Sequence, residues 1–186
     1  MNSWLWSLPA RVPVKLFFAF RPDEEASTAI QSLGRRLKTA HRLRGRLIAP
    51  ERLHNTLAAV HDTRAISENI ARAKAIGDRL WHRSFQVRFD WTGSFKGHDR
   101  GHPFVLQGGE GLESLSEFRA VLRTRMQRAG FAVDHSFTPH VTLLWADRCV
   151  EDYPVAPISW TVRELVLIAS LQGYSRHIDL ERWPLD

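Results

Sequence analysis

The feature that most constrains this chain is a repeated unit. Residues 53–60 read LHNTLAAV and residues 139–146 read PHVTLLWA, so the pattern His-x-Thr-Leu occurs twice, eighty-six residues apart. Each copy follows the same kind of segment. The run VKLFFAF at residues 14–20 is bounded by Pro13 and Pro22 and reads as a buried strand. Pro22, Asp23, Glu24 and Glu25 then open a helix, with acids where the helix dipole is positive. Ala26, Ile30, Leu33 and Leu37 form its apolar stripe. In the second half PFVLQ, residues 103–107, reads as a strand, and Leu115, Phe118, Leu122 and Met126 mark a helix that Gly130 stops. From Phe18 to His54 is 36 residues, and from Val105 to His140 is 35. The chain therefore repeats strand–helix–strand and carries the same motif at the same place in each copy. That pattern predicts a two-lobed α+β protein with approximate internal twofold symmetry. With no linker between the lobes, residues 1–186 are expected to form one bilobal domain, residues 1–13 being an N-terminal extension.

The remaining segments fit around this frame. Ile66, Ile70, Ala73, Ile76 and Leu80 mark a further helix, and FQVRFDW at residues 85–91 alternates apolar and polar as a half-buried strand does. Residues 93–101 read as a polar turn. ISWTVRELVLIAS and RHIDLERWPL read as two closing strands joined through LQGYS.

In a strand, residues i and i+2 share a face. His54 and Thr56 are thus on one side of their strand, as are His140 and Thr142. If the lobes face one another, two imidazoles and two hydroxyls line one cleft. An imidazole titrates near ~6.5, so one can be neutral and take a proton while the other is charged and gives one. The hydroxyls can donate to oxygens that gain negative charge. These groups suffice for displacement at phosphorus without a metal. Neither motif has a second His, Cys or carboxylate at ligand spacing on its face, so no metal is expected there. His98 and His102 are four apart but lie in a glycine-rich loop and read as solvated. His61, His135 and His177 read as surface residues at most reaching the cleft rim, and Cys149 as a thiol with no base partner in sequence.

Composition narrows the setting. The net charge of +6, before nine histidines are counted, favours an anionic partner such as phosphate or nucleic acid. The single cysteine excludes an internal disulfide and suits a reducing, cytoplasmic setting. The first twenty residues are broken by Pro9, Arg11 and Pro13, and are read neither as a signal peptide nor as a membrane span.

KLFFAF followed by RPDEE, APERLHNTL, FTPHVTLL and the terminal LERWPL together resemble the two-histidine (2H) phosphoesterases, and within them the RNA 2′,3′-cyclic phosphodiesterases, also called 2′-5′ RNA ligases. The likeness runs from about Lys15 to the end. It implies two lobes, each an antiparallel sheet flanked by helices, around a central cleft. It implies hydrolysis of RNA ends bearing a 2′,3′-cyclic phosphate to a 2′-phosphate, with reversible 2′-5′ ligation in some members, and neither metal nor nucleotide cofactor. By motif match His54 and His140 carry over as catalytic, and Thr56 and Thr142 as phosphate-binding. By the same analogy His54 is the acid and His140 the base. A monomer acting on RNA ends or on a small cyclic nucleotide is expected; a non-catalytic RNA-binding module keeping the cleft is the alternative.

This chain departs from the family pattern in three places. Ala59, Val60 and His61 stand where an aromatic residue and Leu-Gly often follow the first motif. Asn55 stands where an apolar residue is usual. Trp145 stands where an arginine commonly grips phosphate after the second motif. Arg148 or Arg176 is then expected to supply that charge. Trp145 is read either as a base-stacking residue or as core, since its parity matches Val141 and Leu143.

Overall fold

The computed structural model describes residues 13–60, 65–97 and 101–186. His61, His98 and all but Pro13 of the expected N-terminal extension lie outside the described residues. The strands are β1 (Val14–Phe20), β2 (Asn55–Val60), β3 (Phe85–Ser94), β4 (His102–Gln107), β5 (His140–Ala146), β6 (Tyr153–Val162), β7 (Glu164–Leu171) and β8 (Arg176–Pro184). The helices are α1 (Glu24–Ala40), α2 (Ile66–Gly77) and α3 (Glu113–Arg128). All strand pairs are antiparallel, in the order β6-β3-β4-β5-β2-β1-β7-β8.

The two expected lobes are the two halves of this order, and they meet at a single residue pair, Asn55 with Val141. Those positions are equivalent in the repeat, eighty-six residues apart. A residue opposite its own equivalent lies on a twofold axis, so the pseudo-dyad passes between β2 and β5. The element order repeats as well: β1 precedes β2 as β4 precedes β5, with α1 and α3 between them. Each helix reaches across the dyad: α1 lies against β5 and β6 of the other half, and α3 against β2 of the other half as well as β3 of its own.

The helices bury the stripes that their spacing predicts. Asp23 caps α1, its side chain accepting from the Ala26 N–H at 2.9 Å. Ala26, Ile30 and Leu33 are buried under it, and Leu115, Phe118, Leu122 and Met126 under α3. These join one hydrophobic cluster that runs through both halves.

Two readings of the strands are corrected. ISWTVRELVLIAS is not one strand. It divides into β6 and β7 at Arg163, with no turn residue to mark the break. β6 edges one half while β7 lies inside the other, and only Arg163 separates them, so the sheet must curl until its β6 edge meets the far half. The Arg163 carbonyl, freed from either ladder, accepts from the Leu185 N–H at 2.7 Å. The second correction concerns Trp145. Partners along β4 and β5 run Phe104 with Leu144, then Val105 with Thr142, so Leu143 is an extra residue in the strand. Such a bulge reverses the side-chain alternation beyond it. Trp145 therefore leaves the face of Val141 and Leu143, which are buried, and is 44% exposed. β2 has the same bulge at the equivalent residue, Leu57, between Phe18–Ala58 and Ala19–Thr56. The leucine of each His-x-Thr-Leu is the bulged residue.

Candidate active site

The strand register explains why the motif is doubled. With Asn55 opposite Val141, one step along the antiparallel register sets His54 beside Thr142 and His140 beside Thr56. Directly opposed side chains share a face. The four residues therefore form a square about the pseudo-dyad, each imidazole next to the other motif's hydroxyl. All four line one cleft of about 500 Å³. β2 and β5 diverge from their single pair, and residues 46–48 enter the gap along β5: Leu47 bridges Leu144, and the Ile48 N–H donates to the Leu143 carbonyl at 2.8 Å. That segment carries Arg46 to the cleft beside Trp145.

Both motif histidines are held alike. Nδ1 of His54 contacts the Arg52 carbonyl at 2.7 Å, and Nδ1 of His140 the Thr138 carbonyl at 2.8 Å, each two residues upstream. A carbonyl only accepts, so Nδ1 carries the proton in the neutral ring and Nε2 keeps its lone pair. Either ring can then accept a proton at Nε2 or, once charged, give it back. Across the dyad, the Asn55 side chain donates to the His140 carbonyl at 2.9 Å.

The surroundings of the two rings differ. His54 stacks on Phe17 with centroids 5.0 Å apart, and the His177 ring meets it edge-on, also at 5.0 Å. His140 instead meets the edge of Phe95 at 4.9 Å. Burial pushes His54 well below its ordinary 6.5, to about 4; the Arg52 carbonyl opposes this, while the charges of Arg21, His140 and Arg52 add to it. Burial also lowers His140, against the pull of the Thr138 carbonyl. His177 is lowered to about 3 by burial first, then by His54, Arg52 and Arg21, with Asp179 acting the other way.

Of the residues singled out in the sequence, His54, Thr56, His140, Thr142 and Trp145 come together in the cleft. Arg148 and Arg176 are not among its lining residues; the Arg148 guanidinium donates to the His41 carbonyl. His135 is exposed and is not among the cleft's lining residues. Cys149 has a partner after all, His102 Nδ1 at 3.1 Å, outside the cleft. Sequence reasoning misses Arg46, Arg52 and Phe17 as cleft residues, and it places His177 on the surface. The adjacency of Arg52 to His54 is the available signal for one of these contacts; His177 depends on β8 pairing with β7. Among the described residues no three His, Cys, Asp or Glu side chains gather as a metal would require, and no helix is long and apolar enough to cross a membrane.

Comparison with known proteins agrees with this geometry. The sequence model of the 2′-5′ RNA ligase superfamily matches residues 14–173. Among solved structures, Escherichia coli LigT in its apo form is 27% identical, with a TM-score of 0.75, covering 94% of this chain and 99% of that one. The same protein complexed with 3′-AMP superposes with a TM-score of 0.72 at 27% identity, covering 93% and 98%. TT0787 of Thermus thermophilus, at 22% identity, shares the fold with a TM-score of 0.73 over 92% of this chain and 97% of that one. No match was found among curated proteins.

Proposed function

That the chain belongs to the 2′-5′ RNA ligase superfamily is the premise from which we propose that it opens 2′,3′-cyclic phosphates at RNA ends, leaving 2′-phosphates, without a metal. The observation that carries this reading is the square of His54, Thr142, His140 and Thr56 in one cleft, with both imidazoles pinned through Nδ1.

The chemistry follows from the square. The cyclic phosphate sits over the pseudo-dyad, and the Thr56 and Thr142 hydroxyls donate to its non-bridging oxygens. His140 takes a proton at Nε2 as the water oxygen bonds to phosphorus. The P–O3′ bond breaks, and His54 returns a proton from Nε2 to O3′. The products are a 2′-phosphate and a free 3′-hydroxyl, with one water consumed. Each histidine ends in the protonation state the other began with, and solvent exchange restores them. With an RNA 5′-hydroxyl in place of water, the same displacement gives a 2′-5′ phosphodiester, and its reversal regenerates the cyclic phosphate. In the free cleft both rings are depressed below 6.5, so the negative charge of the bound phosphate is what holds the proton on His54. Trp145, exposed on the cleft side of its strand, offers a face on which a nucleobase can stack. A module that only bound RNA would gain little from two neutral imidazoles, which favours the enzyme.

The test is an oligoribonucleotide ending in a 2′,3′-cyclic phosphate, incubated with excess EDTA and resolved by phosphate isomer. The expected product is the 2′-phosphate, lost in His54→Ala and His140→Ala. Formation of the 3′-phosphate, or loss of turnover in EDTA with recovery on adding zinc or manganese, would refute the scheme.

A further inference from the structure

The cleft contains a cation that no described residue of the protein satisfies. Arg52 ends the short 3₁₀ turn, Pro50–Arg52, that leads into β2. Its side chain lines the cleft, its Nε is buried, and its guanidinium makes no hydrogen bond or ion pair among the described residues. A buried donor without an acceptor is costly, and such groups persist where something else is meant to bind. Arg21 also has an unpartnered Nε, but its terminal nitrogens are taken: they pair with Asp179 at 2.6 Å and donate to the carbonyls of Glu51 and Leu53. Arg46 is exposed at the mouth, and Arg148 and Arg176 do not reach the cleft. The position after the second motif, where an arginine is common in the family, holds Trp145.

We propose that Arg52 is the cation that grips the substrate phosphate in this cleft, in place of that missing arginine. The proposal rests on the reading of the cleft as a phosphodiesterase site. It gives the buried Nε–H an acceptor and brings a fixed positive charge beside the tetrahedral group that His54 and His140 act upon. A guanidinium is suited to this because it stays charged and presents several donors to phosphate oxygens. The same charge bears on the two rings beside it. His54 and His177 face Arg52 from the turn, Arg21 from the end of β1, Asp179 from β8 and His140 from β5. Asp179 is already shared between Arg21 and Arg182, so it does little to offset Arg52. His177 has its own unpartnered, buried Nδ1. An anion bound at Arg52 relieves the repulsion that keeps protons off these rings.

Inorganic phosphate is the probe, measured by calorimetry on the full chain, with the histidine ring protons followed by NMR as pH is varied. Charge-assisted hydrogen bonds are worth ~1.5–3 kcal/mol, so Arg52→Gln should weaken phosphate binding roughly ten- to a hundredfold. Arg52→Lys should recover part of it, while Arg176→Gln, outside the cleft, should change it less than about threefold. Phosphate should move the His54 and His177 titrations to higher pH in the wild type and much less in Arg52→Gln, which a merely structural role would not do. With the cyclic substrate, KM should rise more than kcat falls. Unchanged phosphate affinity in Arg52→Gln, or a phosphate-induced ring shift as large as the wild type's in a variant that keeps its thermal transition, would overturn the proposal. If Arg52→Gln does not fold, Arg52→Met decides, since a methionine variant that binds phosphate as tightly as Arg176→Gln shows that the charge at position 52 is not used. Phosphate binding and ring titration need no turnover. A wild type that binds phosphate through Arg52 yet leaves cyclic phosphates intact would sink the phosphodiesterase reading and leave this one standing.

Discussion

Holding His54 neutral deep in the cleft has a cost that appears as pH-dependent stability. In the unfolded chain its imidazole titrates near 6.5; in the folded protein the value falls to about 4. Between those values the unfolded state binds a proton that the native state refuses. Stability from this group is therefore fully present above pH 6.5 and is lost as pH falls toward 4. At 1.36 kcal/mol per unit the gap corresponds to about 3 kcal/mol, an upper figure because the side chain is partly open to solvent. The perturbation is His54→Asn, which fills a similar volume with a group that does not titrate. Urea unfolding of both proteins at about pH 7 and about pH 4 gives two stability losses, and their difference reports His54 together with the His177 ring coupled to it, because the carboxylates titrate in both. The wild type should lose about 2–3 kcal/mol more than the variant. His177 adds to the contrast in the same direction: without a charged neighbour at position 54, it accepts its proton more readily in the fold. Equal losses in the two proteins would show that the ring is not held neutral by burial, and the electrostatic account of the cleft would fail with it.

Three further outcomes are expected. Either His54→Ala or His140→Ala should slow opening of the cyclic phosphate at least about a hundredfold, and Thr56→Ala or Thr142→Ala less; with a leaving group far more acidic than an alcohol, His54→Ala should regain much of its rate and His140→Ala should not, whereas the reverse would exchange acid and base. The profile of kcat/KM against pH should be a bell whose optimum lies below ~6.5, because both rings are lowered in the free cleft and its limbs belong to the pair; an optimum above about pH 8 would contradict this. Gly45→Ala should lower stability by about 1–3 kcal/mol, measured by urea midpoint, since Gly45 has φ +126° and an added Cβ would stand 2.1 Å from the Trp145 carbonyl oxygen; an unchanged midpoint would mean that this segment does not seat against β5 as described.

The repeat is legible because its evidence is periodic. Two helical stripes, two short apolar runs and two copies of one tetrapeptide recur, the tetrapeptides eighty-six residues apart, and the structure pairs the strands in matching register. The bulges are not legible. Leu57 and Leu143 are apolar, and an apolar residue suits a buried bulge as well as a buried ladder position, so nothing marks the change of alternation. The side of the strand on which Trp145 lies depends entirely on that change. Arg163 shows the same limit in another form. A strand break with no glycine, proline or asparagine has no local signature, and only the pairing of β6 with β3 and of β7 with β1 and β8 reveals it. His177 and Phe17 join the site through strand order, which local pattern does not encode.

Asn55 shows most clearly what pattern alone misreads. In the sequence it stands only as a departure from the apolar residue usual beside the first histidine. The pseudo-dyad gives it another meaning. Asn55 and Val141 are equivalent residues forced to face one another, at the one pair that β2 and β5 share. Two valine-like side chains there would pack but would not fix the halves in register, since an apolar contact has no direction. An amide on one side can reach across, and Asn55 does, donating to the carbonyl of His140. The backbone of one motif is thus tied to the residue beside the other motif's histidine. Only one member of the pair needs to be polar, which is why the equivalent position in the second motif keeps its valine. Replacing Asn55 by valine would leave the ladder pair in place and remove the link, so it should disturb the spacing of the two imidazoles more than it disturbs folding: turnover should fall while the urea-derived stability stays within about 1 kcal/mol of the parent. Parent-like turnover in that variant would show that the backbone pairing of the halves sets the cleft without the Asn55 link.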